Sequence, residues 1–146
     1  MPENVTVVVG NMTDDAELRY TPNGVAVANF RLAVTPRVKD RDGSWRNGDT
    51  TFIPVNVWRD TAVNVAESDI GKGSRVVVCG RLRTRSWETD AGEKRSVTEL
   101  DADEVAPSLR FHIVKAVEKP DRSRDPVGPG RGRDQVRAVE PDDMPF

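Results

Sequence analysis

Apolar and polar residues alternate with a period of two through much of this chain, the pattern of strands that bury one face. Thr51 to Trp58 shows it most plainly, with Ile53, Val55 and Val57 on one side and Phe52, Pro54, Asn56 and Trp58 on the other. Val25 to Val34 behaves alike: Ala26, Ala28, Phe30, Leu32 and Val34 make a core face, opposite Asn29, Arg31 and Thr35 together with Val25, Val27 and Ala33. Val5 to Val9 is a β-branched run stopped by Gly10, which predicts a buried first strand. Val76 to Cys79 predicts another buried strand, continuing across Gly80 into Arg81–Trp87, and Asp90-Ala91-Gly92 turns the chain back into a strand over Arg95 to Leu100. Pro22-Asn23-Gly24 marks a further turn. Asp42-Gly43 marks a hairpin inside the polar segment 36–50, which reads as a projecting arm bearing Arg37, Lys39, Arg41 and Trp45. Pro54, lacking an N–H, points to an edge position or a bulge. Asp60 to Ser68 predicts the one helix, with Asp60 or Thr61 as its N-cap and Ala62, Val65 and Ala66 as its apolar stripe.

Many strands, recurrent turns and a single short helix predict an all-β fold, a small bent antiparallel barrel with the helix plugging one end. At 146 residues there is room for one domain and an extension. The pattern dissolves near Pro120, where Pro and Gly alternate with Arg and Asp, so residues 119–139 are expected to be a disordered linker. No apolar run approaches the length of a bilayer span, and Met1-Pro2-Glu3-Asn4 lacks the basic and apolar regions of a leader, so the cytoplasm is the expected location.

The net charge of −2 lends no support to a globally basic nucleic-acid binder, but the charges are unevenly placed. Arg31, Arg37, Lys39, Arg41 and Arg46 form one cluster, and Lys72, Arg75, Arg81, Arg83, Arg85, Lys94 and Arg95 another. In an extended strand Arg81, Arg83, Arg85 and Trp87 share one face. Such a row suits single-stranded nucleic acid, whose phosphates meet guanidinium groups while its bases stack on indole; a solvated sheet face is the alternative. Trp45, Phe52, Trp58 and Trp87 all fall outside the core pattern, each fit to stack a base or to pack against a second subunit.

The single Cys79 and single His112 exclude an internal disulfide and argue against a Cys/His metal site; Cys79 reads as a small buried hydrophobe, with an intersubunit disulfide as the lesser alternative, and His112 as a surface or packed histidine. Asp14-Asp15 and Asp101/Asp103 read as solvated acids. With no phosphate loop, serine motif or metal motif, neither enzyme activity nor a cofactor is expected.

The residues resemble the bacterial single-stranded DNA-binding protein family. The matching runs are Val-Gly-Asn at 9–11, Glu-Leu-Arg-Tyr-Thr-Pro-Asn-Gly at 17–24, Phe-Arg-Leu-Ala-Val at 30–34, Trp-Arg at 58–59, Ala-Glu-Ser at 66–68, Lys-Gly-Ser-Arg-Val at 72–76, Gly-Arg-Leu-Arg-Thr-Arg-Ser-Trp-Glu at 80–88 and Ala-Asp-Glu-Val-Ala-Pro-Ser-Leu-Arg at 102–110. The resemblance implies an OB-fold, a five-stranded antiparallel barrel with projecting hairpins, in a domain spanning 1–118 that forms a homotetramer. It implies sequence-independent binding and protection of single-stranded DNA in replication, recombination and repair, in the nucleoid. Trp45, Phe52, Trp58 and Trp87 match the family's stacking aromatics, and Lys72, Arg83 and Arg85 its phosphate contacts; Arg31, Arg37, Lys39, Arg81 and Arg95 join the phosphate set by placement. Residues 140–146 resemble the family's acidic tip, which recruits replication, recombination and repair proteins: Phe146 can fill an apolar pocket while Asp142 and Asp143 meet basic residues, with Met144 and Pro145 between. Met144 and the arginine-rich linker depart from the family pattern. The competing expectation is a protein-interaction or replication-restart OB module with incidental DNA contact.

Overall fold

A computed structural model describes residues 3–121. Its strands are β1 (Thr6–Met12), β2 (Glu17–Tyr20), β3 (Ala26–Val34), β4 (Arg37–Lys39), β5 (Trp45–Asn47), β6 (Thr51–Trp58), β7 (Arg75–Glu88) and β8 (Lys94–Pro107), with one helix, α1 (Arg59–Glu67). The main sheet runs β1-β7-β8-β6-β3-β2, and β1 also pairs with β3, which closes five of the strands into the expected barrel. The ring is antiparallel except where β6 meets β8, in register at Val55↔Leu100 and Val57↔Ala102.

The core faces predicted for β3 and β6 are found, although Val27 and Asn56 on the opposite face are buried as well. Ala26, Ala28, Phe30, Leu32, Val55 and Val57 are buried in the core with Met12, Val76, Val78 and Leu100, and Ala62 and Val65 of α1 complete it. Pro54 stands one residue before the part of β6 paired to β8, where the strand is still an edge on that side. The 36–50 arm is a separate two-stranded sheet, β4 with β5, turned at Gly43 with φ 87°.

Four expectations need correction. β1 is not buried throughout: Val5, Val7 and Val9 face outward, Val7 being 61% exposed, because β1 pairs with β7 through a barrel wall whose other side nothing covers in one chain. Cys79, opposite Val7, is half-exposed on that same face. α1 begins a residue early. Trp58 is the N-cap with no capping side chain, and Asp60 lies in the first turn, where its charge suits the helix dipole. The abrupt change from strand to helix is made by Arg59, held at φ 61°. Finally, β8 runs to Pro107, well past the predicted Leu100.

β2 escaped the sequence reading altogether. It pairs with β3 around the Pro22-Asn23-Gly24 turn, where Thr21 N donates to Val25 O and Gly24 has φ 80°.

Candidate nucleic-acid interface

Strand register decides which candidates meet. On β7 the outward residues are Val77 and Cys79 before Gly80, and Arg81, Arg83, Arg85 and Trp87 after it. Their neighbours across β8 are Asp101, Glu99, Val97 and Arg95. β8 brings Asp101 alongside Asn56 of β6, and β6 brings Asn56, Pro54 and Phe52 alongside Asn29, Arg31 and Ala33 of β3, with Trp58 beside Val27. The barrel thus carries Arg31, Phe52, Trp58, Arg81, Arg83, Arg85, Trp87 and Arg95 on one outer surface. Trp45, Arg37 and Lys39 lie on the arm, and Lys72 on the exposed turn before β7, where its N–H donates to Asp15 Oδ1. Asp142, Asp143, Met144, Pro145 and Phe146, like the linker expected over 119–139 apart from its first three residues, fall outside the described residues.

Three of the four aromatics have a cation over the ring: the Arg31 guanidinium at 5.2 Å from Phe52, Lys39 Nζ at 5.9 Å from Trp45 and the Arg85 guanidinium at 5.1 Å from Trp87. Phe52, Trp45 and Trp87 are all exposed, whereas Trp58 is half-buried beside the fully buried Val27. An exposed ring braced by a cation on one face and open on the other can stack a base with little reorganisation.

The arginine row is not a bare strip of charge. Arg85 Nη2 lies 3.2 Å from Glu99 Oε1, with only 13% and 6% of the two side chains exposed. Arg83 Nε lies 3.5 Å from Asp101 Oδ2, and Arg81 Nη2 3.6 Å from Glu3 Oε1 at the surface. Asn56 Nδ2 donates to Glu99 Oε2 at 2.7 Å and to Asp101 Oδ1 at 3.2 Å, while its own Oδ1 accepts from Asn29 Nδ2 at 2.7 Å. The reading of Asp101 as a solvated acid is therefore corrected: it is partly buried between Arg83 and Asn56, because β8 continues past Leu100 along the arginine strand. Glu99 and Asn56 were missed as site residues. The signal available was Asn56, an amide interrupting a strand that is otherwise apolar or aromatic from Phe52 to Trp58.

Burial pushes the Asp101 carboxyl above its usual range, helped by the charges of Glu99 and Asp103, against the Asn56 hydrogen bond and Arg83, which act the other way. A carboxyl whose folded pKa is raised favours the fold most when protonated, and that contribution is lost as pH rises through the raised value. Asp101→Asn should therefore raise the thermal midpoint at neutral pH and leave it unchanged well below 3.8, the ordinary value, where both side chains are neutral. A lower midpoint at neutral pH would show that the Arg83 pairing outweighs burial. His112 is packed as expected, its Nε2 accepting from Arg75 N–H at 2.9 Å.

The model of the Single-strand binding protein family matches residues 3–108. A single-stranded DNA-binding protein of Paenarthrobacter aurescens is 50% identical over 131 residues, 89% of this chain and 76% of that protein. One from Mycolicibacterium smegmatis is 53% identical over 122 residues, 83% of this chain and 73% of that protein. Among solved structures, the small single-stranded DNA-binding protein from Streptomyces coelicolor superposes with a TM-score of 0.63 at 35% identity, over 75% of this chain and 97% of that one.

Proposed function

Because the chain belongs to the single-strand binding protein family, we propose that it binds and protects single-stranded DNA without sequence preference during replication, recombination and repair. The observation that carries this reading is the single outer surface on which Phe52, Trp58 and Trp87 lie among Arg31, Arg81, Arg83, Arg85 and Arg95, with Trp45, Arg37 and Lys39 on the adjoining arm. Bases stack on the four aromatics, and phosphates run along the more exposed cations, Lys72 included. Ring stacking and phosphate contact use features that all nucleotides share, which fits binding without sequence preference.

The test is a fluorescence titration with oligothymidine. Tryptophan emission is expected to quench, and log K to fall linearly with log salt by about 0.7 for each phosphate neutralised. Binding with neither quench nor salt dependence would end this reading.

The working unit is a homotetramer. Supporting this, Val5, Val7 and Val9 of β1 form an exposed apolar stripe beside Val77 and Cys79, on the stretch of the wall that precedes the arginine row along β7. Leu109, Phe111, Ile113 and Val117 extend the exposed apolar surface beyond β8.

Residues 140–146 recruit replication, recombination and repair proteins to the bound strand, on the chemistry of Phe146 with Asp142 and Asp143. A chain lacking these seven residues is expected to bind oligothymidine as the full chain does and to lose co-sedimentation of such proteins with coated DNA. Equal co-sedimentation by both chains would remove the role of the tip.

A further inference from the structure

We propose that Glu99 is a positioning residue for base stacking: through Arg85 it holds a guanidinium against Trp87, so that Arg85 braces the indole and does not contact phosphate. This rests on the DNA-binding reading above and divides the arginine row into members of different kind.

The line of contacts crosses the barrel wall. Asn29 on β3 donates to Asn56 on β6, Asn56 donates to Glu99 on β8, and Glu99 pairs with Arg85 on β7, whose guanidinium lies 5.1 Å from the Trp87 ring. Glu99 and Asn56 are both buried, at 5% and 4% exposure, and the Arg85 side chain is nearly so. Burying a charged pair costs several kcal/mol per ion unless each group is closely held, and here Glu99 has one oxygen on Arg85 and the other on Asn56. A guanidinium so enclosed has exchanged its water for a carboxylate already; to reach a phosphate it would have to abandon Glu99 inside the wall. Arg83 differs. Its pair with Asp101 is longer, at 3.5 Å, and although its Nε and Nη2 are buried, both side chains are more exposed overall, at 31% and 24%, so its guanidinium is the more open of the two to a phosphate. What Arg85 retains is its place against Trp87, an exposed ring whose orientation sets where a base lies.

The experiment uses the full chain, oligothymidine and several salt concentrations. Arg83→Gln should flatten the salt slope by about 0.7, the loss of one phosphate contact. Arg85→Gln should lower affinity about five-fold, roughly one stacking interaction at the low end, by the same factor at every salt concentration. Glu99→Gln should lower affinity by a similar factor with reduced tryptophan quench, and should cause no further loss in a chain already carrying Trp87→Ala. The proposal is overturned by an Arg85→Gln slope that flattens as the Arg83→Gln slope does, by unchanged affinity in Arg85→Gln, or by a Glu99→Gln loss that persists undiminished without Trp87. Should Glu99→Gln fail to fold, the two arginine slopes decide. Absence of quench and salt dependence in the unmutated chain would instead strike at DNA binding itself.

Discussion

Trp87→Ala is expected to weaken oligothymidine binding by roughly five- to 150-fold, the range spanned by about 1–3 kcal/mol for one stacked base. The fold should scarcely register the change, because Trp87 is 41% exposed near the end of β7 and contributes nothing to the buried cluster. Its loss removes no charge, so the salt slope should stay parallel to that of the unmutated chain while the whole line moves to weaker binding. Trp58→Ala offers the useful contrast. Trp58 is half-buried beside Val27, itself fully buried, so truncation there should weaken binding and also lower the unfolding midpoint. Titration and thermal melts of both variants check this, and unchanged affinity in both would place the stacking surface elsewhere.

Gly80→Ala is expected to produce the largest loss of stability among small substitutions. A Cβ at this position would overlap the Asp101 carbonyl oxygen and come within 2.8 Å of the Ala102 Cα, and both obstacles are backbone that cannot swing aside. The crowding falls where the register of β7 against β8 shifts between Cys79 and Gly80, leaving Asp103 without a register partner. Overpacking of this kind costs about 1–3 kcal/mol and sometimes more, which a urea denaturation midpoint will show. The displaced backbone is that of Asp101, the partner of Arg83, so DNA affinity should change together with stability. A midpoint equal to that of the unmutated chain would mean that the bulge relaxes freely.

Legibility in the sequence followed what each strand must bury. β3 and β6 were plain because their inward residues are apolar without interruption, from Ala26 to Leu32 and from Ile53 to Val57. β2 was hidden because a four-residue strand with Leu18 as its lone aliphatic shows no period. β8 was cut short because Glu99, Asp101, Asp103 and Glu104 look like the end of a core strand, when the first two serve the outer surface and Leu100 between them serves the core. The valines of β1 misled in the opposite sense, being apolar on both faces while only one face meets the core of a single chain.

Of the site, the cations and rings were visible from alternation alone, since a period of two fixes the face of Arg81, Arg83, Arg85 and Trp87 once β7 is a strand. What alternation could not supply was the partner across the sheet. Glu99 and Asp101 reach the arginines only through a pairing that joins residues 83 and 85 to 99 and 97, and no local pattern announces the register.

The parallel seam between β6 and β8 has a consequence for how the molecule comes into being. β1 and β3 can meet early, but the ring needs β7 to reach β1 and β8 to reach β6, so among the described residues the last strand in the sequence is the one that seals the wall. Contacts this distant along the chain form slowly; the β7–β8 hairpin brings Glu99 to Arg85 from only 14 residues away, but until it docks on β6 the Asn56 amide has not reached Glu99 and Leu100 has not filled the core. The closed barrel and the joining of β6 to the arginine row are therefore completed in the same late step.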